Sequence, residues 1–251
     1  VAADVSAAVV DLNPVEDAYI RWNRPDENYG TAGNLSIGQS FPPSLNESNP
    51  RKAYTLWDAS SLNPADILSV DGIAFYSGEE KTRTVALLLL AREDGLDNNW
   101  TEGDGTAGSG ITWNNAPYND VSGGDRAFNP FLSQGELDPV LIGAFQVGLT
   151  SPNAVLDTNG NPTGYYAHQF SQAESDLLLA ALTSDDFKVT IGLQYNSSHD
   201  DKFALKSKEA DVSGVGPVPP ILRRDVVSED VPGDFDGDGD VDGNDFLIWQ
   251  S

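Results

Sequence analysis

Short apolar–polar alternations recur along most of this chain, set about 8–12 residues apart as in a sandwich of antiparallel strands. The runs at residues 17–22 (DAYIRW), 35–38, 51–58 (RKAYTLWD), 67–76 and 82–92 read as strands. Residues 140–149, 188–194, 203–207 and 221–226 continue the series. Gly, Asn, Asp and Pro punctuate the gaps, most heavily in the long loops 93–110 and 114–125 and in the Gly/Pro stretch 212–220. One helix is predicted. Ser171, Gln172, Ala173 and Glu174 spell a capping box ahead of the apolar run 177–182. Residues 1–10 (VAADVSAAVV) form one more apolar segment, broken off by Asn13-Pro14. It suits an extra strand, either on its own sandwich or at a neighbour's sheet edge.

Two runs break the half-buried pattern. Residues 85–90 (VALLLL) are apolar on both faces. In RKAYTLWD, Tyr54 and Leu56 lie opposite Thr55 and Trp57, so that strand is also apolar on both sides. An outer sheet face in water alternates with polar residues. Something therefore covers the second face: the capped helix, the long loops, or another subunit.

The C-terminal stretch DFDGDGDVDGND, residues 234–245, follows the spacing of an EF-hand calcium loop. Asp234, Asp236 and Asp238 take positions 1, 3 and 5, where side-chain oxygens reach one ion. Gly239 takes position 6, where the loop turns sharply. Asp240 offers a backbone carbonyl, Asp242 binds directly or through water, and Asp245 closes the loop, one methylene shorter than the usual Glu. Six Asp in twelve residues also suit a solvated acidic tail; the Gly placement, apolar Val241 and the apolar start at Phe246 favour the loop.

Charge narrows the partners. The net charge is −25, and the basic residues are spread thinly, Arg223-Arg224 being the densest pair inside the last predicted strand. Nucleic acid and anionic lipid need clustered Lys and Arg and are excluded on this count. Acidic polysaccharides would be repelled unless calcium bridges the two surfaces. No run reaches the roughly 18 apolar residues of a membrane-spanning helix. Cys is absent, so nothing rests on disulfides. A calcium loop of this charge density suits a calcium-rich extracellular medium.

Catalytic chemistry has little support. His168 and His199 are the only histidines. Tyr166 and His168, two apart in a strand, are the pair that a lyase would need as acid and base; a structural histidine is the simpler reading. Strand patterning makes Trp100 and Trp113 core residues. Trp22, Tyr29 and Tyr54 are the better candidates for an exposed sugar-stacking platform.

The pieces DAYIRWNRPDENYGTAGNLSIG (17–38), RKAYTLWDASSL (51–62), WTEG (100–103), ITWNNAP (111–117), FALKSKEA (203–210) and PPIL (219–222) together resemble the DNRLRE domain, also classed as carbohydrate-binding module family 96. The resemblance spans about residues 15–226, and WTEG followed by ITWNNAP is its most specific part. It implies a jelly-roll β-sandwich, secreted and non-catalytic, with some members binding polysaccharide such as alginate. Residues 233–249 likewise resemble one repeat of a type I dockerin, in which Asp at position 12 is normal; a dockerin has two repeats, and one stands here. A cohesin-like partner is what that likeness implies. A second calcium within the sandwich would draw on Asp17, Asp26 and Asn28 near the first strand.

The sequence thus predicts an all-β protein. Its fold is a jelly-roll-type antiparallel β-sandwich with one short helix and a C-terminal EF-hand-like calcium loop. The expected division is an N-terminal extension (1–14), the sandwich (15–227), and a linker with the calcium loop (228–251). The expected function is a secreted, non-catalytic structural or adhesive protein of the cell surface or matrix. Subunits would associate with one another, into fibres, while Ca2+ orders the C-terminal segment. The alternative is a module that binds extracellular polysaccharide.

Overall fold

The computed structural model describes residues 7–39, 50–63, 66–90, 98–119, 121, 138–184, 186–195 and 201–227. The calcium-loop residues Asp234, Asp236, Asp238, Asp240, Asp242 and Asp245 lie outside them, as does His199.

The chain opens with strands β1 (Ala7–Leu12), β2 (Glu16–Arg21), β3 (Asn34–Gln39) and β4 (Arg51–Asp58). Next come β5 (Ile67–Tyr76), β6 (Arg83–Leu89), β7 (Val140–Val147), β8 (Ala154–Leu156) and β9 (Pro162–Gln169). Helix α1 (Gln172–Leu182) precedes β10 (Lys188–Tyr195), β11 (Asp201–Lys206), β12 (Asp211–Val212), β13 (Gly216–Pro217) and β14 (Ile221–Val227). Two antiparallel sheets result. A five-stranded sheet runs β1-β14-β5-β9-β8; a seven-stranded sheet runs β11-β3-β4-β10-β6-β7, with β2 also paired to β4. The short pair β12-β13 stands apart. Strand β1 pairs along its whole length with β14 of the same chain, Ala7 opposite Val227 and Leu12 opposite Leu222.

Alternation explains the sandwich. Ile73 and Phe75 of β5 face Val85, Leu87 and Leu89 of β6, and Val189, Ile191 and Leu193 of β10, all in one buried cluster. Phe75 stacks on Phe145 across the two sheets, ring centroids 5.6 Å apart. Trp57 is fully buried here, its indole N–H satisfied by Thr55 Oγ1 at 3.0 Å. Helix α1 begins at the predicted capping box: Ser171 Oγ accepts from the Glu174 amide, while the Glu174 carboxylate accepts from the Ser171 amide. The helix packs against β5 and β10, burying Leu178 and Leu182 in the core. Ser175 Oγ accepts from the Val70 amide at 2.9 Å and so ties the helix to β5.

The second apolar face of β4 and β6 is covered by a loop. Tyr54 and Leu56 point away from the main core into a separate cluster with Leu90, Trp100, Ile111, Trp113, Ala116 and Tyr118. Ala18 and Ile20 of β2 complete it. Residues 98–119 therefore do what an outside subunit would otherwise have to do, while the helix serves the inner core.

Candidate functional site

The covering loop is held by specific polar contacts. Trp100 Nε1 donates to Thr190 Oγ1 at 3.0 Å, and Thr190 in turn donates to Asn98 Oδ1 at 2.8 Å. Lys52 is almost fully buried beneath the loop; its ammonium donates to Asn119 Oδ1 at 2.9 Å and lies 5.5 Å from the centre of the Trp113 ring. A buried charge needs such partners. Asn28 Nδ2 donates to the carbonyls of Glu102 (2.6 Å) and Ile111 (2.9 Å), joining WTEG to ITWNNAP. Gly30 lies so close to the Glu102 carbonyl that a Cβ there would collide with it. Gly103 turns the chain at φ +79°, a conformation that favours glycine.

These contacts bring three distant carboxylates together. One oxygen each from Asp17 (β2), Glu102 (covering loop) and Glu209 (after β11) lies within 4.8 Å of the others, close enough to share a metal ion. The Lys208 amide donates to Asp17 Oδ2 at 2.7 Å, the Asp17 amide to Glu102 Oε2 at 3.0 Å, and the Glu102 amide to Glu16 Oε2 at 2.8 Å. The Lys208 ammonium bridges Glu102 (2.7 Å) and Glu209 (2.8 Å). Burial, with the charge of Glu209 beside it, pushes the Asp17 carboxyl up to about 8. Burial also raises Glu102. Burial alone would lower Lys208, but its hydrogen bonds to Glu102 and Glu209 outweigh that and hold it well above its ordinary value.

The motif pieces DAYIRW, NYG, WTEG, ITWNNAP and KSKE thus converge in space, each with a contact that explains its residue types. Residues 8–124 match the family model of carbohydrate-binding module family 96. That match covers just under half of the chain, from β1 through the covering loop. The family is one of sugar-binding modules rather than catalytic domains. No curated protein matches the chain significantly.

The open face of the five-stranded sheet is built differently. A groove of about 480 Å³ runs over β5, β9 and β14. Gly72, Ala74 and Ala167 line it with small side chains, while Val155, Val215 and Ile221 contribute apolar contact. Tyr165 lines it too; its hydroxyl donates to the Pro219 carbonyl at 3.1 Å, and its ring meets Tyr76 edge-on at 5.5 Å. Thr163, Gln169 and Arg223 add polar groups. Arg223 is held by Asp11, Nε to Oδ1 at 2.9 Å.

The structure redistributes the residues singled out from sequence. Tyr54, expected on an exposed platform, is fully buried, because the loop covers the face on which alternation places it; its hydroxyl donates to the Pro117 carbonyl. Trp22 is half-buried, edge-on against Trp113. Tyr29 stacks on Tyr19 at 4.3 Å, leaving both half-exposed. Trp100 and Trp113 are buried as expected, though in the covering cluster. Of Asp17, Asp26 and Asn28, only Asp17 joins the acidic cluster. Asp26 accepts from Asn114, and Asn28 clamps the loop. Tyr166 sits in the main core, and His168 packs edge-on against Phe170 with Nε2 3.6 Å from Glu174. Neither Glu102 nor Glu209 stood out among 39 acidic residues; the WTEG and KSKEA pieces were the only signal for them. The groove had none.

Proposed function

We propose that the protein is a non-catalytic polysaccharide-binding module, exported from the cell, whose ligand lies in the groove of the five-stranded sheet. The observation that carries this reading is the groove's composition: a floor of small and aliphatic residues, one anchored aromatic ring, and polar groups beside them. Sugar rings present apolar C–H faces and hydroxyl edges. The first fit Ala74, Ala167 and Tyr165; the second fit Thr163, Gln169 and Arg223. The family match supports the same class of ligand. Among the described residues Arg223 is the only charged side chain lining the groove, and the chain carries −25 overall, so neutral polysaccharide is favoured over polyanions.

Self-association into fibres would need an uncovered apolar sheet face, a free N-terminal strand and an unpaired calcium loop; β1 pairs with β14 of its own chain. Residues 98–119 cover the sheet face, which favours glycan binding over self-association. The test is electrophoresis of the full chain through gels containing xylan, β-glucan, mannan or alginate. Retardation by a neutral glycan is expected, and unretarded migration in every gel would refute the reading. Calcium binding by Asp234, Asp236, Asp238, Asp240, Asp242 and Asp245 belongs to the same proposal as a separate element. Its check is calorimetric titration of the full chain with Ca2+ before and after Asp234, Asp236 and Asp238 are changed to Asn, which should remove a binding event.

A further inference from the structure

We infer that Asp17, Glu102 and Glu209 form a structural site for a hard divalent cation, calcium in particular, which pins the covering loop to the seven-stranded sheet. This site is built from elements other than the groove and does not rest on the sugar-binding reading. Asp17 is 1 % exposed, and among the described residues its Oδ1 has no hydrogen-bond partner. A buried carboxylate oxygen left in that state is costly, and the usual remedy is a proton donor or a metal ion. Lys208 does not supply it. The ammonium contacts Glu102 Oε1 and Glu209 Oε1, while only the Lys208 backbone amide reaches Asp17, on Oδ2. Three carboxylates, with Glu16 close behind them, face one ammonium.

A divalent ion among the three carboxylates satisfies the oxygen that Lys208 leaves unpaired and carries the second positive charge. The ligand set chooses the class of ion. All three donors are carboxylate oxygens, with no nitrogen or sulfur, so a hard cation is preferred over zinc or copper. Glu209 is exposed, which leaves room for water in the larger and more adaptable shell that calcium accepts. Lys208 is about a quarter exposed and has a long stem, so it can swing outward as the ion enters. The three donors come from positions 17, 102 and 209. An ion there therefore ties β2, the covering loop and the turn after β11 into one unit, and binding to the folded chain alone stabilises it.

The test separates this site from the C-terminal Asp residues. The full chain carrying Asp234→Asn, Asp236→Asn and Asp238→Asn serves as the background, and thermal unfolding is followed in chelator and in calcium chloride. Calcium at about a hundred times the dissociation constant should raise Tm by about 5 °C or more in that background. Adding Asp17→Asn should abolish the increment, and in chelator that chain should melt no lower than the background, since its amide oxygen still accepts from the Lys208 N–H without a carboxylate to bury. Glu209→Gln, at an exposed position, is the second variant should Asp17→Asn fail to fold, and it should reduce the increment. A calcium increment of the same size in the folded variants, or none in the background, would overturn the inference.

Discussion

The two outer faces of the sandwich solve opposite problems. On the seven-stranded sheet, Tyr54, Leu56, Leu88 and Leu90 project outward and are roofed by Trp100, Ile111, Trp113 and Tyr118. On the five-stranded sheet, Gly72, Ala74 and Ala167 line an open groove beside Tyr165. Large apolar side chains on an outer face demand a cover, and the chain supplies one from its own loop. Small side chains leave little surface needing cover and make a trough instead. The lesson is that apolarity on both faces of a strand marks a second core, while a face of small residues beside a single aromatic marks a surface free to bind.

The contrast can be broken most forcefully on the covered side. Trp113→Ala removes the centre of the second cluster and the ring beside buried Lys52, and should cost about 3–5 kcal/mol, read by urea unfolding. Glycan retention by the fraction still folded should not change. If unfolding is little affected, the loop is not a core.

The acidic cluster gives the next effect, through pH. The Asp17 carboxyl rises from 3.8 to about 8 in the folded chain, facing Glu16, Glu102, Glu209 and Lys208. Between those values the folded state binds the proton more tightly than the unfolded state does. Its contribution to stability is therefore greatest below about pH 4 and is lost as pH climbs toward 8. Unfolding in chelator from pH 4 to 8 should show this decline, and Asp17→Asn should flatten it.

On the open side, Tyr165→Ala should weaken binding of a retained glycan at least tenfold, about 1.4 kcal/mol, measured by calorimetry. Arg223→Ala should weaken it less and leave stability almost unchanged, because the Arg223–Asp11 pair is substantially exposed. The smallest effect is expected where neither face is involved. Ser171→Ala removes the N-cap and should cost about 1 kcal/mol in the same unfolding assay, with binding intact.

Much of the framework was legible in local pattern. Strand 67–76 and the helix start at Ser171 follow from alternation and a capping box, both of which act within a few residues. Strand β9 lacks that pattern: PTGYYAHQ carries Pro and Gly near its start, and its groove-facing positions are the mixed set Thr163, Tyr165, Ala167 and Gln169. Strands β8, β12 and β13 are three residues long or fewer, too short for a period to show. Sites proved harder still. Tyr54 was assigned to solvent because alternation reports which face a residue occupies and not what covers that face. The acidic cluster depends on contacts 85 and 191 positions apart, Asp17 to Glu102 and to Lys208, in a chain with 39 acidic residues. Alternation and turn chemistry do not set these three apart; only the family pieces DAYIRW, WTEG and KSKEA contain them.

The most direct test compares the two faces on one ligand. Tyr165→Ala and Trp22→Ala each remove a half-buried aromatic, the first from the groove and the second from beside the covering loop. Both chains, with the unaltered protein, would be titrated with whichever neutral glycan retards the latter. The account predicts that Tyr165→Ala loses at least tenfold in affinity while Trp22→Ala binds as before. Full binding by Tyr165→Ala with loss in Trp22→Ala would place the ligand on the covered sheet and contradict it.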